Sequence, residues 1–466
     1  MNKEEIALEA KYREMTQQPV RRLVLKLAVP SIFSMMVTAL YNVVDALFVG
    51  RISTEATAAI GISFAYMAIV QALGFFFGHG SGNFISRALG ARLHEEANHM
   101  AAVGFFTTLI IGALIGMSGL LFLPQLVTML GAVPSVVPQA CDYLRYILIA
   151  TPFMMSAFTL NNQLRLQGNA QIGLIGIASG AVLNIALDAL FISGMDMGVT
   201  GASLATAISQ FCSWLLLLLG TNKPQSVHIR FRNYKPNLFT LKEIAMGGAP
   251  SLFRQAFNSI SSIMLNYAAA RWAMPGDEAS AVAAFAIVSR TMNFAFAFTL
   301  GIDQGFQPVC GYNYGAKKYG RVLQSYRFAM RLSTLFLLLF AIVGFIWARE
   351  ITMLFRAEDP VLIEIGIVAM RWQCASFPLI GLPTATNMLF QNIRMPFQST
   401  LIAIGRQGLF FVPAILILPL LLGLKGVEIT QAVADMCTFL LGVPYFFWIT
   451  RRLKAAQQAQ DEGGAT

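Results

Sequence analysis

Long apolar runs separated by short polar stretches organise this chain of 466 residues. Twelve runs stand out, at about 27–50, 57–80, 100–123, 143–164, 172–194, 199–220, 249–273, 282–304, 326–348, 368–390, 400–422 and 427–449. Each supplies the ~20 residues that a helix needs to cross the ~30 Å hydrocarbon core of a bilayer. The runs are apolar all round, whereas strands of a membrane barrel alternate over ~10 residues. Only helices then satisfy the backbone in lipid. The pattern predicts an all-α integral membrane protein of twelve transmembrane helices in two pseudo-symmetric six-helix bundles.

The longest polar stretch between runs, 221–248, leaves six runs on each side. This divides the chain into an N-terminal segment 1–26, an N-lobe 27–220 with spans 1–6, a linker 221–248, a C-lobe 249–449 with spans 7–12, and a tail 450–466. The halves repeat one plan. LAVPSIF at Pro30 matches GGAPSLF at Pro250, LGARLHEEA at Gly90 matches YGAKKYGRV at Gly315, and ATPFMM at Pro152 matches SFPLIG at Pro378. Six spans per half give both halves the same orientation, as in parallel repeats of carriers, where substrate binds between two bundles that rock.

Composition sharpens the reading. Hydrophobic residues make up 56% and charged ones 12%, with a mean hydropathy of +0.63. The charged share is about half that of a soluble domain, which argues against a soluble enzyme. Lys and Arg set orientation. With the N-terminus inside, inner segments hold 23 basic residues and outer segments 5. Both termini and the linker are therefore expected in the cytoplasm, with the protein multi-pass in the plasma membrane. The net charge of +10 is then a topology signal, and no basic soluble module speaks for nucleic acid. The polar first ~20 residues lack the apolar core of a signal peptide. Five scattered cysteines and four histidines show no disulfide or metal spacing, and no HExxH or P-loop is present, so neither an enzyme nor ATP-driven transport is indicated.

Charges within spans are costly and mark function or pairing. Asp45 lies about 7 Å from the outer end of span 1, at 1.5 Å per residue. Asp188 lies in the outer half of span 5, with Asn184 one turn before it on the same face. Asn42 shares the face of Asp45, and Thr206 of span 6 reaches similar depth. Two carboxylates, an amide and a hydroxyl suit a hard cation, which takes oxygen ligands. They equally suit a proton shared between coupled acids. Asp45 and Asp188 would ligate metal only if the cation is Na⁺. In the second half, Arg254, Arg290, Arg406 and Asp435 are expected to pair within the lobe. Asp303 at the inner end of span 8 could line a cavity or cap a broken helix, QGFQP and YNYG could interrupt span 8, and Glu428 is expected in solvent. Adaptable methionines favour promiscuous surfaces. Met35, Met36, Met154, Met155, Met264 and Met292, with Asn42 and Asp303, are candidates for a substrate cavity.

Three strings carry a family resemblance: AVPSIFSMMVTALYNVVDALFVGRIS, SGAVLNIALDALFISGMDMGVTGASLATAISQ and GIDQGFQPVCGYNYGAKKYGR. Together, over about residues 20–450, the chain resembles the multidrug and toxic compound extrusion (MATE) transporters, in the bacterial branch with first-lobe carboxylates. The resemblance implies secondary active antiport by alternating access. Amphipathic, often cationic drugs or metabolites would leave in exchange for H⁺ or Na⁺. No other cofactor and a monomeric carrier are expected. The four positions Asp45, Asn184, Asp188 and Thr206 match the family's first-lobe cation site. Another branch places an acid in span 7, where this chain reads RQAFNSIS with none. The alternative within the wider superfamily is a flippase for a lipid-linked precursor, for which a cationic cavity would be expected.

Overall fold

The computed structural model describes the backbone of residues 3–49, 54–356 and 358–463, and side chains over 5–38, 56–356 and 358–462. The described residues are helical almost throughout. In chain order the helices are α1 (Lys3–Gln17), α2 (Val20–Val49), α3 (Thr54–Gly90), α4 (His94–Leu121), α5 (Leu123–Met129), α6 (Val137–Leu166), α7 (Ala170–Asp188), α8 (Gly198–Gly220), α9 (Leu238–Trp272), α10 (Glu278–Gly315), α11 (Tyr319–Ile346), α12 (Ala348–Phe355), α13 (Pro360–Ser376), α14 (Gly381–Asn392), α15 (Pro396–Ile404), α16 (Phe411–Leu422) and α17 (Leu424–Gly463). Wide π turns follow α7 at Ala189–Gly194 and join α15 to α16 at Gly405–Leu409. Among the described residues, ten helical stretches are long and apolar enough to cross a membrane. With the 30-residue α2 and 35-residue α9, they account for the twelve expected spans.

The chain forms two compact units. Unit 1 comprises Met1–Gln18 and Val29–Leu252, and unit 2 comprises Pro19–Ala28 and Phe253–Thr466. Two helices therefore change unit partway, α2 after Ala28 and α9 after Leu252. Each does so within two residues of an internal proline, Pro30 or Pro250. Within unit 2, Gly305 of α10 lies so close to Ala28 that a β-carbon would collide with its backbone. Within unit 1, Gly80 of α3 does the same against Ile244 of α9. Gly80 and Gly305 are related by the repeat offset of 225 seen in the sequence.

In unit 1, α6 packs against α3, α4 and α8, over an apolar core of Phe105, Ala157, Leu160, Leu164 and Leu217. Small residues let these helices approach closely. A β-carbon at Gly78 would stand 2.9 Å from Cβ of Asn162. In unit 2, Phe285, Val288, Met292, Leu337, Met370 and Phe411 belong to a larger core.

Turn geometry carries the repeat into the backbone. Arg92 and Lys317 adopt left-handed φ of 62° and 60° after α3 and α10, and Gly168 and Arg394 adopt 82° and 65° after α6 and α14. Each turn closes with the amide three residues past the helix reaching back to it: Leu93 N to Ala88 O at 2.8 Å, Lys318 N to Asn313 O at 2.8 Å, Asn169 N to Leu164 O at 2.9 Å and Met395 N to Phe390 O at 3.0 Å. This is the Schellman way of satisfying the last carbonyls. The short helices α5 and α12 occupy matching places after α4 and α11 and were not anticipated, being too short to register as spans.

Three further differences from expectation have simple causes. First, α9 begins at Leu238, inside the polar stretch, because Asn237 caps it. The Asn237 side chain accepts from Thr240 N at 2.8 Å, and the Thr240 hydroxyl accepts from Asn237 N at 3.1 Å, a reciprocal cap. The rest of that stretch is bound to unit 1 through Val227 N to Gln167 Oε1 at 2.8 Å and His228 N to Asn98 Oδ1 at 2.9 Å. Second, the polar N-terminal segment forms α1, tied to the same turns by Lys11 Nζ to Gly168 O at 2.9 Å and Arg92 to Glu9 at 3.1 Å. Third, α10 runs unbroken through Pro308 to Gly315. A proline removes one donor, a loss that neighbouring groups absorb in packed membrane helices.

An exposed lysine in the left-handed region pays about 1–2 kcal/mol that glycine does not. Lys317→Gly is therefore expected to raise the thermal unfolding midpoint of the protein in detergent, and Gly168→Ala, set against Met15 and Lys11, to lower it. Melting curves followed by tryptophan fluorescence check both signs.

Candidate functional site

The buried face of α7 begins as a stripe of small residues and ends in two polar ones. Ala170, Gly173, Gly176, Gly180, Asn184 and Asp188 are its buried residues. Gly176 and Gly180 lie against Leu217 and Ser213 of α8, and the Ser213 hydroxyl donates to Gly176 O at 2.9 Å. The same close contact draws Asn184 and Asp188 against Thr206 of α8. All three are fully buried, at 1%, 0% and 0% exposure. With the Asn184 amide turned so that its NH₂ faces the carboxylate, Nδ2 donates to Asp188 Oδ2 at 2.9 Å and Oδ1 accepts from Thr206 N at 3.2 Å. The opposite orientation offers only a 3.4 Å contact to the Thr206 hydroxyl and sets the amide oxygen against other acceptors, so the first is favoured. Directly beyond Asp188 the helix widens into the π turn, an irregularity frequent at functional sites. Three of the four expected cation-site residues thus meet. The side chains of the fourth, Asp45, and of Asn42 lie outside the described residues.

A cavity of about 240 Å³ opens beside this cluster within unit 1. Asn184 lines it, together with Gln71 of α3, Asn161 of α6, and Ser209, Gln210 and Ser213 of α8. Phe64, Met67, Met154, Phe158 and Leu217 supply apolar wall. Among the described residues that line it there is no Lys, Arg, Asp or Glu. Amide dipoles, aromatic faces and adaptable thioethers suit an amphipathic guest, including one with diffuse positive charge. Asn184 therefore borders both the carboxylate and the cavity. Gln71, Asn161 and Gln210 escaped the sequence reading, although a polar side chain in mid-span was the available signal.

The other candidates lie elsewhere. Met155 is fully buried in unit 1, and Met292, at 4% exposure, belongs to the unit-2 core, with Met264 packed against it. Met35 is half-buried on α2. Asp303 is buried in unit 2, where its Oδ1 accepts from the Ser333 hydroxyl at 3.3 Å. Arg406 pairs with Asp435 at 2.8 Å, and Arg254 reaches Asn387 Oδ1 at 3.4 Å. Arg290, expected among the buried charges, is exposed instead, and Glu428, expected in solvent, is buried at 6% exposure. Helix rotation, which a run apolar all round does not reveal, decides both.

Comparison with known proteins places this geometry among transporters. The MatE family model matches residues 30–190 and again 250–417, once per half and starting at each proline. Multidrug export protein MepA of Staphylococcus aureus (strain N315) is 25% identical over 449 residues, which is 96% of this chain and 98% of that protein. MepA of Staphylococcus haemolyticus (strain JCSC1435) is 25% identical over 417 residues, 89% of this chain and 90% of that one. Among solved structures, MATE in complex with MaL6 superimposes with a TM-score of 0.87 at 26% identity, covering 96% of this chain and 99% of that one. An outward-facing multidrug resistance MATE family transporter of the MOP superfamily gives 0.86 at 26% identity, covering 95% and 98%.

If the cavity receives guests, filling it should exclude them. Met154→Trp is expected to weaken binding of ethidium to the purified protein by about ten-fold or more, roughly 1.4 kcal/mol. Fluorescence titration of wild type and variant measures the difference.

Proposed function

The chain belongs to the MatE family, and we propose that it is a secondary active antiporter that exports amphipathic, often cationic drugs or metabolites in exchange for H⁺ or Na⁺ by alternating access. It is a multi-pass membrane protein of the multidrug efflux class, a transporter rather than an enzyme, with small-molecule substrates. The finer reading rests on one observation: Asn184 donates to the buried Asp188 carboxylate and also lines the cavity of unit 1.

That position makes competition between ion and guest a matter of local chemistry. A carboxylate buried in a membrane bundle requires a counter-charge, a proton or hydrogen bonds. With Asp45 as its expected partner, Asp188 takes a proton, or takes Na⁺ together with amide and hydroxyl oxygens of Asn184 and Thr206, the hard donors that such a cation prefers. When the cation departs, the Asn184 amide turns its NH₂ to the bare carboxylate. When a cation binds, the same amide must present oxygen to it. The cavity wall changes with that rotation, so ion and guest influence one another through a shared residue, as linkage demands. The flippase alternative would call for Lys or Arg to hold a pyrophosphate, and the described residues that line this cavity include neither.

The two lobes, the linker and the cytoplasmic termini belong to the same proposal, as does a monomeric state. In everted vesicles, pH and Na⁺ gradients imposed separately identify the driving ion. Asp45→Asn and Asp188→Asn are each expected to abolish gradient-driven ethidium transport at wild-type protein levels, with ethidium binding retained. Asn184→Ala and Thr206→Ala should do less harm, because neutral ligands tune a cation site without setting its charge. Normal transport by both carboxylate variants overturns the mechanism.

Topology is checked independently. A cysteine introduced by Lys235→Cys, at an exposed position of the linker, should react with a membrane-impermeant maleimide in everted vesicles and remain unlabelled in intact cells.

A further inference from the structure

Unit 2 holds a carboxyl that the proposed exchange leaves unused. Asp303 of α10 has no solvent exposure. Among the described residues its Oδ1 accepts from the neutral Ser333 hydroxyl of α11 at 3.3 Å, and the neutral Thr384 hydroxyl of α14 also interacts with the carboxyl. Its Oδ2 has no hydrogen-bond partner among the described residues. Burying an ionised carboxylate on neutral hydroxyls costs far more than burying the corresponding acid.

Among the described residues the cation that acts on Asp303 is Arg254, and it is not in contact. Arg254 of α9 interacts electrostatically with Asp303, yet its guanidinium is turned to Asn387 Oδ1 of α14 at 3.4 Å. That bond is long beside the 2.7–2.9 Å usual for charged donors and carboxylates. The other groups facing Asp303 are neutral: Ser333 from α11, and from α14 Thr384, whose hydroxyl bonds to Ile380 O. The Tyr326 hydroxyl is committed to Thr386 at 2.6 Å. Arg327, Arg331, Arg349, Glu350, Glu364 and Arg371 of α11–α13 are half-buried or exposed. Asp303 is also no relic of the duplication, since the 225-residue offset equates it with Gly78.

We propose that Asp303 is a second proton-binding site, confined to unit 2, and that its ionised form recruits Arg254. The step is a simple protonation. One O–H bond forms at the carboxyl as one breaks in a hydronium ion, which leaves as water, and the charge on Asp303 rises from −1 to 0. Loss of that proton leaves a buried anion whose available counter-charge is Arg254. Arg254 is the second residue of α9 inside unit 2 and lies one turn past Pro250. Drawing it from Asn387 toward Asp303 shifts α9 where the helix changes unit. The acid thereby reports proton occupancy to the proline-bearing helix. This inference rests on the antiport reading for its purpose, though not for its chemistry.

Infrared difference spectra of the full-length protein across a pH titration test the chemistry directly. The wild type should show a buried carboxylic C=O band that rises and falls with pH. Asp303→Asn should remove it, and Ser333→Ala, which leaves the carboxyl in place, should shift it. In vesicles, Asp303→Asn should lower pH-driven ethidium transport by about ten-fold while ethidium affinity stays within about three-fold, the signature of a group used in turnover rather than in binding. Identical spectra for wild type and Asp303→Asn overturn the proposal, as does wild-type transport by Asp303→Asn. If Asp303→Asn does not fold, an unshifted band in Ser333→Ala overturns it. If the wild type transports nothing under any gradient, the antiport reading fails, and the spectra alone decide whether Asp303 takes up a proton.

Discussion

A charged side chain in a lipid-facing bundle must be matched by groups from neighbouring helices, and that requirement shapes both units. Water, which solvates such groups at a soluble protein's surface, is absent from the hydrocarbon region. Asp188 and Asp435 show two ways of meeting that requirement. Asp188 lies at the end of the glycine stripe of α7, which seats α8 and with it Thr206. Asp435 accepts from Arg406 at 2.8 Å, from Gln431 at 2.8 Å and from Ser376 at 3.2 Å. Both lie near a π turn. Widening a helix frees backbone groups and redirects side chains, and here it occurs where a charge must be placed.

The two similar units also differ at positions that the repeat equates. The repeat offset equates Gly180 with Arg406, Gln71 with Phe296 and Met67 with Met292. In unit 1, Gly180, Gln71 and Met67 line the cavity. In unit 2, Arg406 stacks over the Phe296 ring at 4.8 Å and pairs with Asp435, while Met292 is buried in the core. The space that is open in one unit is occupied in the other by a side chain carrying its own positive charge. Removing one partner of such a pair leaves the other buried and uncompensated, at a cost of about 3–5 kcal/mol. The duplicated positions thus line a cavity in one unit and carry an internal ion pair in the other.

Much of this was legible in the residues. Twelve apolar runs with almost no loops leave little choice of fold, and offsets of 220–226 between halves reappear as matched left-handed turns. Asn184, Asp188 and Thr206 could be grouped because helical spacing and depth are simple arithmetic. Helix rotation was not legible. A span that is apolar all round has no polar stripe to show which side faces protein, so Met155 and Met292 could not be told from Met67 and Met154, which line the cavity. Arg290 and Glu428 were misjudged for the same reason. The ordered N-terminal helix and the capped start of α9 were hidden because local side-chain bonds, rather than hydropathy, create them.

The exchange of helix starts between units adds a constraint that the two-lobe plan does not contain. If each half of the sequence formed one unit, the polar linker alone would join them. Instead α2 and α9 each pass from one unit to the other as a continuous helix. Any relative motion must therefore be absorbed inside those helices. A proline lacks one backbone donor and weakens the ladder locally, so the turns around Pro30 and Pro250 are where bending costs least. On the near side of each proline, the helix is clamped by a glycine contact, Gly305 on Ala28 and Gly80 on Ile244. On the far side of one lies Arg254, which makes a long bond to Asn387 at 3.4 Å. A clamp, a weak point and a loosely held charge in sequence along one helix are the parts that convert a change of charge in unit 2 into a change of helix direction.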